Sequence, residues 1–365
     1  MEVSTIILDN GSNSIRAGVS GDPAPLFDVP TVLCTRSEDD KIEYFIGEDA
    51  LQQTEGLFSR PIRTRSIKNY NDVEIIWNDI VREKLRLNPE EHPFLLTESS
   101  LCTKAEREKN IEIIMEKFKA PAYYSTLPEI LSLYAAGLTT GLVIDAGDED
   151  THILPVFECY AMTHVQSTLE IGGKHINDFL KKLLAQNGGK IPKNIETKVL
   201  RDIKENYCYI AYDIDEELQK ADHLNDIEKS YFLPEGQELI LSTQRFKCVE
   251  PLFDPQLLQI QSNGLPYLVN ETIQKCGELK NKMYHNILLS GGTSMFPGFK
   301  ERLHKDLSKL VPSETTINII SPEKRNISSW IGASVLSSLA TFSQMWVSKA
   351  EYEETGSSIV HWKCF

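Results

Sequence analysis

The hydrophobic pattern repeats one arrangement at two distant places in the chain. A short apolar run ends in an acidic turn that contains glycine, and a second strand-like run follows. Apolar runs of this length that stop at glycine and aspartate predict β-strands joined by tight turns. The strand-like runs are residues 5–8 and 15–19 in the first copy and residues 141–144 and 151–156 in the second. The two turns are Asp9-Asn10-Gly11-Ser12 and Asp145-Ala146-Gly147-Asp148.

A third glycine turn follows the strand-like run Asn286–Ser290. The turn reads Gly291-Gly292-Thr293-Ser294-Met295, and the pattern predicts that a helix begins near Pro297-Gly298-Phe299. A strand, a glycine pair and a helix in this order leave backbone N–H groups open to a ligand.

Helix signals are clear in two other stretches. Thr103-Lys104-Ala105-Glu106 has the form of a capping box, and the helical spacing after it continues until Pro121. Gly172-Gly173 leads into an amphipathic stretch that Gly188-Gly189 is expected to end. The apolar positions in the two stretches are Ile111, Ile114, Met115 and Phe118, and Ile176, Phe179, Leu180, Leu183 and Leu184. In contrast, Arg36–Tyr44 is polar without core positions, and we predict an exposed loop there.

Composition sets the class of protein. With 365 residues, 41% of them hydrophobic, the chain can form two or more lobes, and strands mixed with helices predict an α/β fold. A formal net charge of -15 excludes a protein that binds nucleic-acid phosphates directly. Seven scattered cysteines predict reduced thiols and a cytoplasmic or nuclear location. We expect no membrane insertion and no signal peptide, because no apolar stretch has the required length.

The chemistry of the two aspartate turns suggests a ligand. Glycine lets backbone N–H groups face an anion, and the neighbouring aspartate can hold a hydrated divalent cation. Two such hairpins would grip the phosphates of a metal-bound nucleotide. The alternative is a pair of ordinary Asx-type hairpin turns without a ligand.

These motifs, in this order, resemble the superfamily that contains actin, the heat-shock chaperone ATPases and the sugar kinases. Within it the chain resembles the actin family over nearly its full length. The C-terminal stretch that begins at Gln344-Met345-Trp346 and ends at Phe365 is particularly diagnostic. Other matching stretches are Leu8–Ser12, Pro89–Pro93, Leu131–Ala135, Arg201–Glu205, Glu228–Tyr231 and Ser290–Thr293.

The resemblance implies an actin-like ATPase fold of duplicated ribonuclease H-like domains. Two lobes of two subdomains each would surround a nucleotide cleft. Subdomain 1 would comprise residues 1–30, 61–135 and 327–365, and subdomain 2 residues 31–60. Subdomain 3 would comprise residues 136–171 and 261–326, and subdomain 4 residues 172–260.

The resemblance also implies ATP or ADP with Mg²⁺ as cofactors. Asp9 and Asp145 would hold the metal through water, and His152 and Asp145 would lie at the catalytic position. Arg325, or Lys324 instead, would cover the base. The other implied nucleotide contacts are Gly11, Ser12, Asn13, Arg16, Gly147, Asp148, Lys204, Glu205, Gly291, Gly292, Thr293 and Met295. Without this context, Lys204 and Glu205 would be read as a solvated helix face, and His152 as a strand histidine satisfied by a neighbour.

Several residues depart from the family pattern. Pro128 replaces the glutamine that orients the attacking water, so hydrolysis is expected to be slow or absent, with Glu129 able to compensate only if the backbone shifts. Asn13 and Glu149 replace glycines in the phosphate hairpins, and Arg16 replaces a lysine. The loop after Cys34 is shorter than the one through which family members contact the next subunit, and Thr64 replaces a modified histidine.

The function implied is that of a cytoskeletal ATP-binding subunit whose lobe closure is set by Mg-ATP or Mg-ADP, within a complex or filament. Its partners would be other actin-family subunits or actin-binding proteins. The alternatives are a polymerising ATPase, a small-molecule kinase and a nucleotide-free remnant of the fold.

Overall fold

The computed structural model describes residues 4–38, 41–186, 196–223, 227–234 and 236–364. The chain divides into two compact units. Unit 1 comprises Met1–Thr139, Val156–Ala161 and Ile327–Phe365, and unit 2 comprises Thr140–Pro155 and Met162–Asn326. The division of each unit into two subdomains stays a prediction.

The elements are given in chain order. Residues up to 139 contain strands β1 (Ile6–Asn10), β2 (Ser14–Val19), β3 (Phe27–Pro30), β4 (Leu33–Glu38), β5 (Lys41–Ile46), β6 (Leu57–Ser59), β7 (Ile62–Arg63), β8 (Ser66–Ile67), β9 (Phe94–Thr97) and β10 (Ala122–Thr126). The α-helices of this stretch are α1 (Glu48–Leu51), α2 (Tyr70–Asn78), α3 (Lys104–Glu112) and α4 (Pro128–Ala135).

Residues 140–326 contain strands β11 (Gly141–Ala146), β12 (Thr151–Phe157), β13 (Tyr160–Ala161), β14 (Ser167–Leu169), β15 (Lys229–Phe232), β16 (Glu238–Leu241), β17 (Ile287–Ser290) and β18 (Ile319–Ile320). Their α-helices are α5 (Gly173–Gln186), α6 (Glu196–Tyr207), α7 (Ile214–His223), α8 (Gln244–Lys247), α9 (Leu265–Lys275), α10 (Lys280–His285) and α11 (Phe299–Ser308). The C-terminal stretch contains β19 (Val347–Ser348), α12 (Ser328–Ser337), α13 (Lys349–Thr355) and α14 (Val360–Lys363).

Short helical segments of other types connect these elements. Two are π-helical, Asp79–Lys84 and Ile113–Lys117. The 3₁₀ segments are Pro89–Glu91, Thr163–Val165, Glu250–Leu252, Pro255–Leu258, Gly277–Leu279, Gly292–Met295, Arg325–Ile327, Phe342–Gln344 and Ser357–Ile359.

Each unit is built on a mixed sheet. In unit 1 the strand order is β19-β10-β9-β1-β2-β3, with β1 and β10 parallel to β9 and with antiparallel hairpins at β1–β2 and β2–β3. In unit 2 the order is β12-β11-β17-β18, with β14 paired to β12 and with β11 and β18 parallel to β17. The central strands are fully buried, as strands covered on both faces must be.

The predicted hairpins and helices are confirmed. Thr103 and Glu106 form the capping box of α3, and the helix continues through a π-helical segment to Phe118. α5 begins at Gly173 and buries Ile176, Leu180 and Leu184. The expected stop at Gly188-Gly189 lies outside the described residues.

The predicted loop at Arg36–Tyr44 is wrong. Arg36 pairs with Glu43 and Ser37 with Ile42 in an antiparallel hairpin of β4 and β5. The polar pattern gave the wrong prediction because Leu33 and Cys34 at the start of β4 are buried and fix the strand. The hydrogen-bonded pairing of β4 with β5 then continues through residues that are exposed to solvent. Residues 39 and 40 lie outside the described part of the chain.

Helices α4 and α12 of unit 1 are in close contact. A Cβ at Gly332 of α12 would overlap the backbone of Leu131 in α4. The Ser328 hydroxyl also donates a hydrogen bond to the Ser132 hydroxyl, with 3.0 Å between the oxygens. The two helices therefore pack with their backbones in contact, which leaves little room for either to shift.

Candidate functional site

In unit 1 the candidate site is centred on Asp9, which is 6% exposed near the end of β1. Both carboxylate oxygens of Asp9 accept hydrogen bonds. Oδ1 accepts from the Thr97 hydroxyl at 3.0 Å, and Oδ2 accepts from the Ser329 hydroxyl at 2.6 Å. Arg16 Nη1 donates to Oδ2 at 3.3 Å. The carboxylate is thus fixed by three side chains that come from three different elements.

Strand register explains these contacts. Leu8 of β1 lies opposite Leu96 of the parallel strand β9, so Asp9 and Thr97 are the next residues along. Arg16 lies directly opposite Asp9 across the β1–β2 hairpin. The Arg16 Nε atom is also 3.8 Å from the carboxylate of Asp28. The cation predicted to contact phosphate therefore has carboxylates on two sides.

The turn between β1 and β2 needs glycine for a steric reason. A Cβ at Gly11 would be 2.6 Å from the Ser14 carbonyl oxygen, which accepts a hydrogen bond from the Gly11 N–H at 3.1 Å. Asn13 has a negative φ, so asparagine causes no backbone strain at this position, where the family has glycine. The Asn13 carbonyl accepts a hydrogen bond from Thr31 N–H at 2.9 Å. Ser12 is half-buried in the same turn.

In unit 2, three predicted side chains converge on Gly173. A Cβ at Gly173 would lie 3.1 Å from Asp148 Oδ1, from Lys204 Nζ and from Thr293 Oγ1. Thr293 also donates to the Gly147 carbonyl at 2.6 Å, and Lys204 Nζ is 3.4 Å from the Gly173 carbonyl. Helices α5 and α6 and the turn after β17 thereby bring together residues that are far apart in the sequence.

Lys204 and Glu205 differ in their surroundings. Lys204 is half-buried, and this burial lowers the pKa of its ammonium group, while the nearby Asp148 carboxylate opposes that shift. Glu205 is exposed on the same helix. Of the two, Lys204 is the one that belongs to the cluster at Gly173.

The third glycine turn lies against the second aspartate turn. Gly291 has a φ of 84°, and a Cβ there would be 2.5 Å from Asp145 Oδ1 and would overlap the Ala146 carbonyl. A Cβ at Gly292 would have no heavy atom within 4 Å. Arg325 donates from Nε and Nη2 to the Ser294 carbonyl at 3.2 and 2.9 Å, and its own carbonyl accepts from Gly291 N–H. Lys324, the alternative to Arg325, is exposed.

The arrangement agrees with a comparison against protein families. A family model described as Actin matches residues 1–365. The chain belongs to the actin family. Its two α/β units form an actin-like ATPase fold, and actin-family proteins generally bind ATP or ADP with Mg²⁺ and interact with other subunits or binding proteins. No helix in the described ranges is long and apolar enough to cross a membrane.

One departure from the family pattern and two predicted site residues can be placed in unit 2. Glu149, which replaces a glycine, is 9% exposed and is 3.6 Å from the Lys174 ammonium group. Lys174 thereby offsets the negative charge that Glu149 adds to the hairpin. His152 is buried on β12, with Nε2 3.8 Å from Asp150 Oδ1. Met295, in contrast, is 38% exposed at the end of its turn.

Proline is tolerated at the position of the family glutamine because it lies at the start of a helix. Pro128 is the first residue of α4, where proline has the right φ and no N–H is needed. Glu129 follows it and is 1% exposed, and its Oε1 accepts from Arg65 Nη1 at 3.2 Å. The carboxylate of Glu129 is therefore bound to Arg65, as part of the structure of unit 1.

Sequence reasoning missed several residues of the site. Thr97 and Ser329 contact Asp9, Thr31 donates to the Gly11 carbonyl at 2.7 Å, and Lys174 accompanies Glu149. Thr97, Ser329 and Thr31 belong to no glycine turn or charge pattern, whereas Lys174 directly follows the glycine pair Gly172-Gly173. A threonine at the end of an apolar strand was the one available signal, for Thr97 after Phe94-Leu95-Leu96.

Proposed function

We propose that this actin-family protein binds Mg-ATP or Mg-ADP and serves as a structural and interaction subunit of a complex or filament. The convergence of Asp148, Lys204 and Thr293 on Gly173 is the observation that carries the proposal. Three polar side chains whose ends lie 3.1 Å from the Cβ position of a glycine suit a ligand that approaches the backbone closely.

The residues present fit a metal-bound nucleotide. Asp9 is fixed by hydrogen bonds in unit 1 and Asp145 lies against Gly291 in unit 2, and each supplies a carboxylate of the kind that holds hydrated Mg²⁺. Gly292 leaves open space beside its backbone, where a nucleotide can lie. Bound Mg²⁺ would neutralise phosphate charge. Differential affinity for the nucleotide would then set the closure of the two lobes.

We expect hydrolysis to be slow. Pro128 lacks the amide that would orient water, and the neighbouring carboxylate of Glu129 is held by Arg65. Positioning is the main protein contribution to phosphoryl transfer to water. The nucleotide then acts chiefly as a structural ligand. It stabilises one conformation of the protein and thereby favours the partners that bind that conformation.

A thermal melt tests binding. Saturating Mg-ATP or Mg-ADP should raise the melting temperature. At a ligand concentration of 100 times the Kd, binding adds about 2.7 kcal/mol to the free energy of unfolding. Asp9→Ala should remove the Mg²⁺-dependent part of this rise. Asp28→Ala is the matched control, because Asp28 also contacts Arg16 but is exposed. No rise with either nucleotide in the unmodified protein would reject the proposal and favour a nucleotide-free remnant.

A polymerising ATPase is the second candidate, favoured by membership of the actin family. Light scattering after addition of Mg²⁺ and salt, with phosphate release followed in parallel, separates the two. Our proposal predicts phosphate release that is slow compared with nucleotide binding. Prompt phosphate release that accompanies polymer formation would establish the second candidate.

A further inference from the structure

We propose that Ser329 is a positioning residue for the Asp9 carboxylate, and through it for the bound Mg²⁺. The inference rests on the proposed nucleotide function. Its basis is the hydrogen bond of 2.6 Å from the Ser329 hydroxyl to Asp9 Oδ2, between side chains that are both buried. A short hydrogen bond to an ionised acceptor in a buried place is among the stronger ones in proteins.

The bond fixes the rotation of the carboxylate. Thr97 holds Oδ1 and Ser329 holds Oδ2, so the plane of the Asp9 carboxylate is set from both ends. Arg16 contacts Oδ2 from β2 at 3.3 Å, but it is also within 3.8 Å of Asp28. Ser329 is therefore the neutral donor that defines where Oδ2 lies, whereas the charge of Arg16 is shared between Asp9 and Asp28.

Ser329 itself has little freedom to move. It lies near the start of α12, and the backbone of that helix packs directly on α4 at Gly332 and Leu131. The preceding residue, Ser328, bonds to Ser132 of α4 at 3.0 Å. A donor on so rigid a support suits a positioning role, because partners that orient a carboxylate strongly affect metal affinity.

The proposal predicts a specific change in Mg²⁺ dependence. The free Mg²⁺ concentration at half-maximal ATP-dependent thermal shift should rise about tenfold or more in Ser329→Ala, because a partner that orients a metal ligand is lost. Ser329→Thr keeps the hydroxyl and should restore the unmodified midpoint. Ser334→Ala is the matched control, since it removes another buried hydroxyl of α12, one that donates to the Asp22 carbonyl at 2.9 Å.

A second measurement uses the protein without nucleotide or metal. Ser329→Ala should lower the melting temperature of the unmodified chain but have a clearly smaller effect in an Asp9→Ala background, because the two residues are coupled. Equal effects in both backgrounds would overturn the proposal, as would an unchanged Mg²⁺ midpoint in Ser329→Ala. If the unmodified protein shows no nucleotide-dependent shift at all, the proposed function fails, and the coupling measured without ligand still decides whether Ser329 positions Asp9.

Discussion

Arg65 and Glu129 form a buried ion pair, with Nη1 3.2 Å from Oε1 and side chains that are 14% and 1% exposed. The pair joins the turn between β7 and β8 to the first turn of α4. Thr64 and Arg65 both have positive φ, 44° and 57°, which is unfavourable for residues with a Cβ. The ion pair thus links a turn with two unfavourable backbone conformations to the residue that follows Pro128.

Removal of the cation alone should be costly. Arg65→Met should lower the free energy of unfolding by about 3–5 kcal/mol, because a buried carboxylate loses its compensating charge. The double variant Arg65→Met with Glu129→Leu should recover most of this loss. Urea unfolding monitored by tryptophan fluorescence measures both. An Arg65→Met protein as stable as the unmodified chain would show that the pair contributes little.

Pro128→Gln should restore an amide at the position that orients water. We expect the rate of phosphate release at saturating Mg-ATP to increase between about tenfold and 100-fold, since small changes in positioning have effects of this size. Pro128→Ala is the control for loss of the proline ring and should leave the rate unchanged. If both variants behave like the unmodified protein, proline is not what limits hydrolysis.

The two glycines after β17 should differ in their response to alanine. Gly291→Ala should destabilise the protein by about 1–3 kcal/mol, because φ is positive and a Cβ would overlap the Asp145 turn. Gly292→Ala has space and should keep the melting temperature of the ligand-free protein, yet weaken nucleotide binding. Paired melts with and without Mg-ATP measure both effects. Full binding by Gly292→Ala would indicate that this backbone does not face the nucleotide.

The C-terminal helices carry a pH-dependent contact. Lys363, together with the Ser348 cap, lowers the pKa of Glu351 from 4.5 to about 2. A lowered folded-state pKa contributes stability above the unfolded value, so the contribution is full above about pH 5 and decreases as pH falls toward 2. Because the Glu351 side chain is 41% exposed and solvent screens its ion pair, Glu351→Gln should cost only about 0.5–1 kcal/mol at pH 7.

The corresponding measurement is urea unfolding of Glu351→Gln and the unmodified protein between pH 7 and pH 3. The difference between them should shrink as the pH falls. Glu353→Gln, at an exposed position of the same helix, is the control. A difference that stays constant, or grows toward acid, would contradict the assigned contact between Glu351 and Lys363.

Local patterns predicted much of the fold. Apolar runs that end at glycine or aspartate identified β1, β11 and β17, and the capping box identified α3, because these signals act within a few residues. The β4–β5 hairpin was missed because its outer residues are polar and its pairing depends on a buried base. Pairing with a neighbouring strand can stabilise such a segment as a strand even where its sequence shows no alternation of apolar and polar residues.

Within the candidate site, the glycine and aspartate turns could be recognised from the sequence, but their supporting residues could not. Ser329 is 320 positions from Asp9, and Thr97 is 88 positions away. Only the parallel pairing of β1 with β9 and the packing of α12 bring them together. The partnership of Arg65 with Glu129 was equally hidden, because the two residues are separated by 64 positions and share no motif.

Calorimetric titration of ATP into the protein, freed of nucleotide by chelation, tests the central claim most directly. With Mg²⁺ present we predict one saturable site per chain, and a marked loss of affinity both when Mg²⁺ is chelated and in Asp9→Ala. Absence of saturable binding by the correctly folded protein, or binding that is the same with and without Mg²⁺, would contradict the account.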